Sequence, residues 1–478
     1  MAVGQVIVTG IVMFLSYRLL LDRLGAATMG IWAVVLSTAS TARLSEMGLA
    51  GSTTRFVAAA IANRDPKRAG AITETVMLST IGVLSVLCVA AYLPILGLLA
   101  GALPIGALPL ARSILPYAML VVTLAAASSV AQAALDGCHR TDLRAWITGG
   151  SQVLYLPLAI TMATRSGLVG LAVAQVLTSV ALLVGNWLAL RSQIESLSLV
   201  PRRWDYDVFR DVLKFGLRLQ VVSLSNLLFE PATKLLMVRF SSLSAATYFD
   251  MAHRTVSQVR TLLVTANQVL IPRLTTLHET EGAREVDRLY RQTLELMLLL
   301  ATPLLIMMAI LAPLISRAWL GSVQPDFVYF TVVLAMAYWV NAISAPAYFT
   351  SIGTGALVWV IASHLVLGIT TVALGAALGL RWGARGVGTG VAIAIIIASV
   401  ITIMGLQRSR GLKMPIRQHL PMLASAVAAL AIGLFVAENV LAAGMALTIL
   451  LPAIWTHPMR GEIWVRIRMR AQLKPVKA

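Results

Sequence analysis

Apolar runs of 18 or more residues recur along the whole of this 478-residue chain. Each run is long enough to cross the ~30 Å hydrocarbon core of a bilayer as an α-helix. Only 12% of the residues are charged, which is about half of the ~25% that an average soluble domain carries. These features exclude a water-soluble enzyme and a disordered chain, and they predict an all-α, polytopic membrane protein.

The loops between the predicted helices carry very unequal numbers of basic residues. Hydropathy predicts about fourteen transmembrane helices, and the loops on one side hold 25 Lys and Arg residues against 8 on the other. Short cytoplasmic loops are enriched in Lys and Arg, so the basic side is predicted to be cytoplasmic. With an even number of spans, both termini are then cytoplasmic as well. The same rule accounts for the net charge of +18, and no nucleic-acid partner is predicted.

Two short segments indicate an internal repeat. Leu-Gly-Ala-Ala-Thr at 24–28 is echoed by Leu-Ser-Ala-Ala-Thr at 243–247, 219 residues later. An even number of spans per repeat makes both copies enter the membrane from the same side, as in transporters built from parallel repeats. We therefore predict a six-helix N-terminal lobe at 1–200, a pseudo-symmetric six-helix lobe at 201–410, and two extra transmembrane helices with a basic cytoplasmic tail at 411–478.

Seven charged residues inside the predicted spans are the candidate functional residues. A charge near the bilayer centre costs at least about 2.5–3.5 kcal/mol, so it usually faces a wet cavity or an opposite charge. Arginine binds phosphate groups through two N–H donors at once, and an internal path lined by arginines suits an anionic headgroup. The seven are the arginines Arg43, Arg218, Arg254 and Arg260 and the carboxylates Glu46, Glu230 and Asp250.

Structural roles remain open for several charged residues in and beside these spans. Arg43 and Glu46 are three residues apart on one helix face, and such a pair can also hold two helices together. Lys234 and Arg239 are interpreted as residues of an outer loop at 233–245.

No catalytic or metal-binding motif stands out. Asp205-Tyr206-Asp207 has the spacing with which glycosyltransferases hold a metal-bound nucleotide sugar, but an Asp just before a predicted helix is more simply a cap. No phosphate-binding loop is present, and the two cysteines and six histidines lack metal-ligand spacing. The sequence predicts a protein that is not an enzyme, with no catalytic residues, no cofactor and no metal.

The segment 24–65 resembles the opening of the polysaccharide and O-antigen flippases of the multidrug/oligosaccharidyl-lipid/polysaccharide exporter (MOP) superfamily. Met29 stands where that family usually has an aromatic residue, and Glu46-Met47-Gly48-Leu49 matches its acidic-Leu-Gly-Leu motif. Pro-Arg-Leu at 272–274 and Trp-Leu-Gly at 319–321 extend the resemblance into the second half. The short basic lead that such relatives usually have is missing before the first span, and whether the true start lies upstream stays open.

The resemblance implies two six-helix lobes in a V around a central cationic cavity. It implies transport of a polyprenyl-diphosphate-linked oligosaccharide from the cytoplasmic to the outer leaflet of the bacterial cytoplasmic (inner) membrane. The product would supply cell-surface polysaccharide such as O-antigen, exopolysaccharide or capsule. Expected partners are this lipid-linked oligosaccharide, anionic membrane lipids, H+ or Na+ as coupling ion, and polysaccharide polymerase or assembly proteins. Glu46, Glu230 and Asp250 are the ion-coupling candidates.

Three alternatives remain open. A flippase for a peptidoglycan lipid precursor has an equally anionic substrate. A multidrug/cation antiporter of the same superfamily predicts a cavity dominated by acidic residues, which is the reverse of the pattern seen here. A membrane-embedded polysaccharide polymerase or ligase needs a large outer loop with catalytic groups, and the longest predicted outer loop, 97–112, holds none.

Overall fold

The computed structural model consists of long α-helices joined by short connections. It describes residues 2–40, 49–268 and 282–412, together with positions 274, 277, 424 and 428. The helices of the described residues are α1 (Ala2–Leu24), α2 (Ala26–Ala39), α3 (Leu49–Ala62), α4 (Pro66–Ala102), α5 (Leu108–Gly137), α6 (Thr141–Arg191), α7 (Tyr206–Phe240), α8 (Leu243–Gln268), α9 (Ala283–Ile310), α10 (Ala312–Leu320), α11 (Pro325–Gly353) and α12 (Val358–Arg410).

Six of the helical segments in the described ranges are long and apolar enough to cross a membrane. They are Pro66–Ala102, Ile105–Gly137, Thr141–Arg191, Ala283–Ile310, Pro325–Gly353 and Val358–Arg410. Segments of this length satisfy their own backbone hydrogen bonds, as a bilayer interior requires. The prediction of an all-α polytopic membrane protein is confirmed.

The chain reverses sharply in the middle of α6 and again in the middle of α12. Gly167 and Gly383 occupy these turns with φ of 58° and 56°, a region that favours glycine. Three residues on, a Cβ at Gly170 or Gly386 would lie 1.9 or 2.0 Å from the carbonyl oxygen eight residues earlier. The second helix of each helical hairpin therefore needs glycine here, because its backbone packs directly on the backbone of the first helix. The two turns are 216 residues apart, close to the offset of the sequence repeat.

The structure divides into two compact units. Unit 1 comprises Met1–Met251 and Gly368–Gly390, and unit 2 comprises Ala252–Leu367 and Val391–Ala478. The lobe boundaries predicted from the repeat, near 200 and 410, stay a prediction.

Within unit 1 the two repeated segments contact each other. The Thr247 hydroxyl donates a hydrogen bond of 2.7 Å to the carbonyl oxygen of Ala26. A Cβ added to Gly30 would lie 2.1 Å from the carbonyl oxygen of Leu243. Glycine at position 30 thus lets the start of α2 pack directly on the backbone at the start of α8.

The connection between α6 and α7, which we name the linker (192–205), is fastened to α4. Glu74 of α4 is fully buried, and its carboxylate accepts backbone N–H bonds of 2.8–2.9 Å from Ser198, Arg202 and Arg203. The indole N–H of Trp204 donates to Ser79 Oγ at 2.9 Å. These bonds hold an irregular segment against a helix without any regular secondary structure of its own.

Each unit has its own apolar core. In unit 1 the core residues come from α3, α4, α5, the end of α6, the linker and the start of α7; they include Val57, Ile72, Val76, Val130, Leu190, Leu197 and Val212. In unit 2 they come from α9, α11 and α12; they include Tyr290, Leu294, Leu298, Ile343 and Ile403.

One helix boundary differs from the prediction in a way that affects function. Helix α7 continues to Phe240, so the interpretation of Lys234 and Arg239 as loop residues is wrong. Hydropathy ends a span where charges appear, whereas the structure pairs Lys234 with carboxylates inside the protein.

Candidate functional site

The structure describes four of the seven charged residues predicted to be functional. Arg43 and Glu46 lie outside the described residues. For Arg218 the structure describes the backbone, which is part of α7, but not the side chain. Glu230 and Asp250 fall in unit 1. The other two, Arg254 and Arg260, fall in unit 2.

Unit 1 contains a buried charge cluster formed by α1, α7 and α8. Lys234 Nζ lies 2.7 Å from Glu230 Oε1 and 2.7 Å from Asp250 Oδ1. The Tyr17 hydroxyl donates a hydrogen bond to the other carboxylate oxygen, Asp250 Oδ2. Lys234 is 2% and Asp250 1% exposed, while Glu230 is 46% exposed. A buried charge is tolerated only with partners of this kind, so Lys234 and Asp250 depend on each other.

Unit 2 contains a polar cluster around Arg260 of α8. Arg260 Nε donates to Asn341 Oδ1 at 2.5 Å, and the guanidinium carbon lies 5.6 Å from the centre of the Tyr338 ring. The Tyr338 hydroxyl shares a hydrogen bond of 2.7 Å with His253 Nε2. The amide of Asn341 in turn donates to Ser399 Oγ at 3.0 Å. Three helices, α8, α11 and α12, therefore hold the guanidinium in one orientation.

Arg260 keeps its positive charge uncompensated within the part of the chain that the structure describes. No carboxylate of those residues lies within ion-pair distance of it, and its acceptor, Asn341, is neutral. Arg254 is half-buried on the same helix, six residues earlier. The rings of Tyr348 and His364, in the neighbouring helices α11 and α12, lie 5.9 Å apart. The cluster therefore offers a cation surrounded by neutral hydrogen-bonding and aromatic groups.

Sequence reasoning missed the residues that organise both clusters. Tyr17, Lys234, Tyr338, Asn341 and Ser399 were not candidates. Two spacings offer a signal: Glu230 and Lys234 are four residues apart, and Tyr338 and Asn341 are three residues apart, so each pair shares one face of a helix.

The Asp205-Tyr206-Asp207 motif has a structural role. Asp205 is the N-cap of α7, and its carboxylate accepts backbone N–H bonds from Asp207 and Val208 at 2.9 and 3.1 Å. Such a cap satisfies donors that have no partner in the first turn. Among the described residues there is also no group of three His, Cys, Asp or Glu side chains that could hold a metal ion.

Comparison with known proteins gives one family and one fold. The family model described as polysaccharide biosynthesis protein matches residues 56–329. No curated protein matches the chain.

Solved structures of transporters and flippases share the fold. A multidrug resistance MATE family transporter of the MOP superfamily, inward-facing, superimposes with a TM-score of 0.73 at 14% identity, covering 84% of this chain and 94% of that one. The lipid II flippase MurJ, inward closed, gives 0.70 at 14% identity and covers 98% and 100%. A MOP superfamily transporter from Pyrococcus furiosus, for which reverse polarity of the binding pocket suggests a different function, gives 0.57 at 13%, covering 85% and 95%.

Proposed function

The chain belongs to the polysaccharide biosynthesis protein family, and from that premise we propose that it flips a polyprenyl-diphosphate-linked oligosaccharide from the cytoplasmic to the outer leaflet. The membrane is the bacterial cytoplasmic membrane, with both termini of the chain in the cytoplasm. Movement follows alternating access between two lobes around a central path, and the protein performs no chemical step on its substrate.

The charge of Arg260, which no carboxylate of the described residues balances, is the observation that carries this proposal. A cation inside a membrane-spanning protein is expensive, and neutral neighbours such as Asn341 and Tyr338 do not balance it. An anionic substrate would supply the missing charge. A diphosphate suits a guanidinium because its oxygens match the paired N–H donors. The lipid tail would stay in the bilayer while the headgroup crosses.

The membrane potential favours this direction of transport. Moving one negative charge outward across 100 mV, inside negative, yields about 2.3 kcal/mol. A diphosphate with two charges therefore gains about 4.6 kcal/mol. Returning the empty protein to its starting state needs no movement of substrate charge, and a coupling ion, H+ or Na+, would bias that step.

The carboxylates of unit 1 are proposed to serve this coupling. Lys234 already neutralises Asp250 in the buried cluster, which leaves the more exposed Glu230 as the member best able to exchange an ion. Glu46 is the third candidate.

Anionic lipids would attract the basic tail, and polysaccharide polymerase or assembly proteins would take up the product.

A peptidoglycan lipid-precursor flippase is the second candidate function. Its substrate carries the same diphosphate, so Arg260 fits both. A multidrug/cation antiporter fits less well, because Arg260 would repel a cationic drug. A membrane-embedded polysaccharide polymerase or ligase would need a large outer loop with catalytic groups, and the longest predicted outer loop, 97–112, holds none.

A flipping assay in proteoliposomes tests the proposal. The full chain is reconstituted with a fluorescent polyprenyl-diphosphate oligosaccharide, and the fraction reaching the opposite leaflet is measured against protein-free vesicles. The variant Arg254→Ala plus Arg260→Ala should flip at least tenfold more slowly, since each hydrogen bond to a charged group contributes about 1.5–3 kcal/mol.

The matched control removes two exposed arginines of the same unit. Arg284→Ala plus Arg288→Ala changes the net charge equally but at the exposed start of α9, and its flipping rate should equal that of the parent. A folded parent that flips no lipid-linked glycan rules out the proposed function. A parent that flips while both double variants behave alike rules out the arginine site.

A further inference from the structure

We propose that Asn341 is a positioning residue that aims the outer edge of the Arg260 guanidinium at the substrate diphosphate and keeps its charge available. The inference rests on the proposed function, because it specifies how the same site takes its anion. In this role Asn341, which carries no charge, acts through Arg260 rather than by contact with the substrate.

The hydrogen bond from Arg260 Nε to Asn341 determines which edge of the guanidinium is left to bind an anion. An arginine has five N–H donors, and it can grip a pair of oxygens either through Nε and one Nη or through both Nη atoms. Asn341 Oδ1 occupies Nε at 2.5 Å, so the first mode is blocked. The edge formed by Nη1 and Nη2 makes no hydrogen bond within the described residues. An oxygen pair of a diphosphate must then approach end-on.

Further contacts fix the plane of the guanidinium. Tyr338 lies against its face at 5.6 Å, and its own hydroxyl is tied to His253. Asn341 is held from the other side by its bond to Ser399 Oγ, whose hydroxyl donates to the carbonyl oxygen of Ile395 at 2.7 Å. An arginine restrained in this way loses little further rotamer freedom when it binds an anion.

The side chain at position 341 is an amide rather than a carboxylate, and this difference affects the charge of the site. Aspartate at this position would accept the same hydrogen bond from Arg260 but would also neutralise it as an ion pair. Asparagine orients the guanidinium without cancelling its charge. The identity of residue 341 thus sets the electrostatic attraction of the site for an anion.

Binding of farnesyl diphosphate to the purified full chain in lipid nanodiscs tests this role. We expect Asn341→Asp to lower the affinity about as far as Arg260→Ala does, by tenfold or more. Asn341→Leu, which keeps the number and branching of the side-chain heavy atoms but removes the amide, should lower it several-fold because Arg260 loses its orientation. Inorganic pyrophosphate, measured in parallel, separates recognition of a soluble diphosphate from recognition of a lipid-linked one.

A double-mutant cycle distinguishes positioning from a general effect on the fold. In the Arg260→Ala background, Asn341→Leu should change the affinity less than twofold, since no guanidinium is left to aim. The control is Asn186→Leu, which alters a buried helical asparagine of unit 1 whose side-chain amide donates to the carbonyl oxygen of Leu182. It should leave binding unchanged in both backgrounds.

Each result has a defined meaning. Equal losses for Asn341→Leu with and without Arg260 overturn the positioning role and leave the proposed function standing. Parent-like affinity of Asn341→Asp also overturns it. Absence of binding to farnesyl diphosphate by the folded parent overturns the proposed diphosphate substrate, and the role of Asn341 with it.

Discussion

The buried Lys234 shows how a single residue can determine the behaviour of a charged cluster. Glu230 and Asp250 are visible in the sequence as charges within apolar segments, and they suggest two acidic sites. Lys234 bridges both at 2.7 Å, so the pair of acids becomes one cluster with a cation at its centre. Because the cluster is buried, removing one partner leaves the other charge unpaired and destabilises the protein.

We expect Lys234→Ala to destabilise the protein by about 3–5 kcal/mol, the usual effect of breaking a buried ion pair. Asp250, 1% exposed, would retain its charge without a countercharge. Thermal unfolding of the purified chain in detergent measures the effect. Lys214→Ala, at an exposed position of α7, is the control and should unfold as the parent does.

The double variant Lys234→Met plus Asp250→Leu provides a second test. It removes both charges together, so it should unfold at a higher temperature than Lys234→Ala. If Lys234→Ala and Lys214→Ala unfold alike, the ion pair contributes nothing to stability.

Among the elements of the fold, the linker shows how one helix can hold an irregular segment in place. The linker has no regular hydrogen bonding, and three of its backbone N–H groups find one carboxylate, that of Glu74. Bonds to a charged acceptor are stronger than bonds between neutral groups. Glu74 therefore sets the path by which the chain leaves α6 and enters α7.

We expect Glu74→Ala to release the linker locally. Trypsin cuts after exposed Arg202 and Arg203, and local opening exposes their backbone to the protease. Limited proteolysis should therefore cleave the variant between α6 and α7 at least tenfold faster than the parent, with the fragments identified by mass spectrometry. Glu74→Gln, which keeps one acceptor oxygen, should cleave at an intermediate rate.

Glu195→Ala is the control for the linker. It removes an exposed carboxylate from the same segment without touching the bonds to α4, and its cleavage rate should match that of the parent. Equal rates for the Glu74 and Glu195 variants would mean that Glu74 does not hold the linker.

At the scale of the whole molecule, the uneven distribution of Lys and Arg predicts the orientation in the membrane. The linker belongs to the basic set of connections, and the turn at 103–107 belongs to the opposite set. Basic loops remain cytoplasmic, so these two connections should face opposite sides.

Labelling of single introduced cysteines in intact cells measures the orientation. In a background with Cys88→Ala and Cys138→Ala, a membrane-impermeant maleimide should label Ile105→Cys, which replaces an exposed side chain. It should label Glu195→Cys only after the membrane is permeabilised. The reverse pattern would show that the chain is inserted the other way round.

The class of the protein follows from its amino-acid sequence, because membership of that class depends on local properties. Length and apolarity of each segment decide whether it can span a bilayer, and the count of basic residues per loop needs no contacts. The short motif of 24–28 and 243–247 predicts a repeat with an offset of 219 residues. The turns at Gly167 and Gly383, which have similar backbone angles, lie at a similar offset.

Contacts between helices distant in sequence determine which charges of the described residues are balanced. Hydropathy places Lys234 in a loop because it has no means of showing that Glu230 and Asp250 lie beside it. The sequence shows that Arg260 has no carboxylate close to it along the chain, whereas its hydrogen bond to Asn341 joins residues 81 positions apart. Pairing of charges depends on distance in space, and in a bundle of long helices that distance is set by packing between residues far apart in sequence.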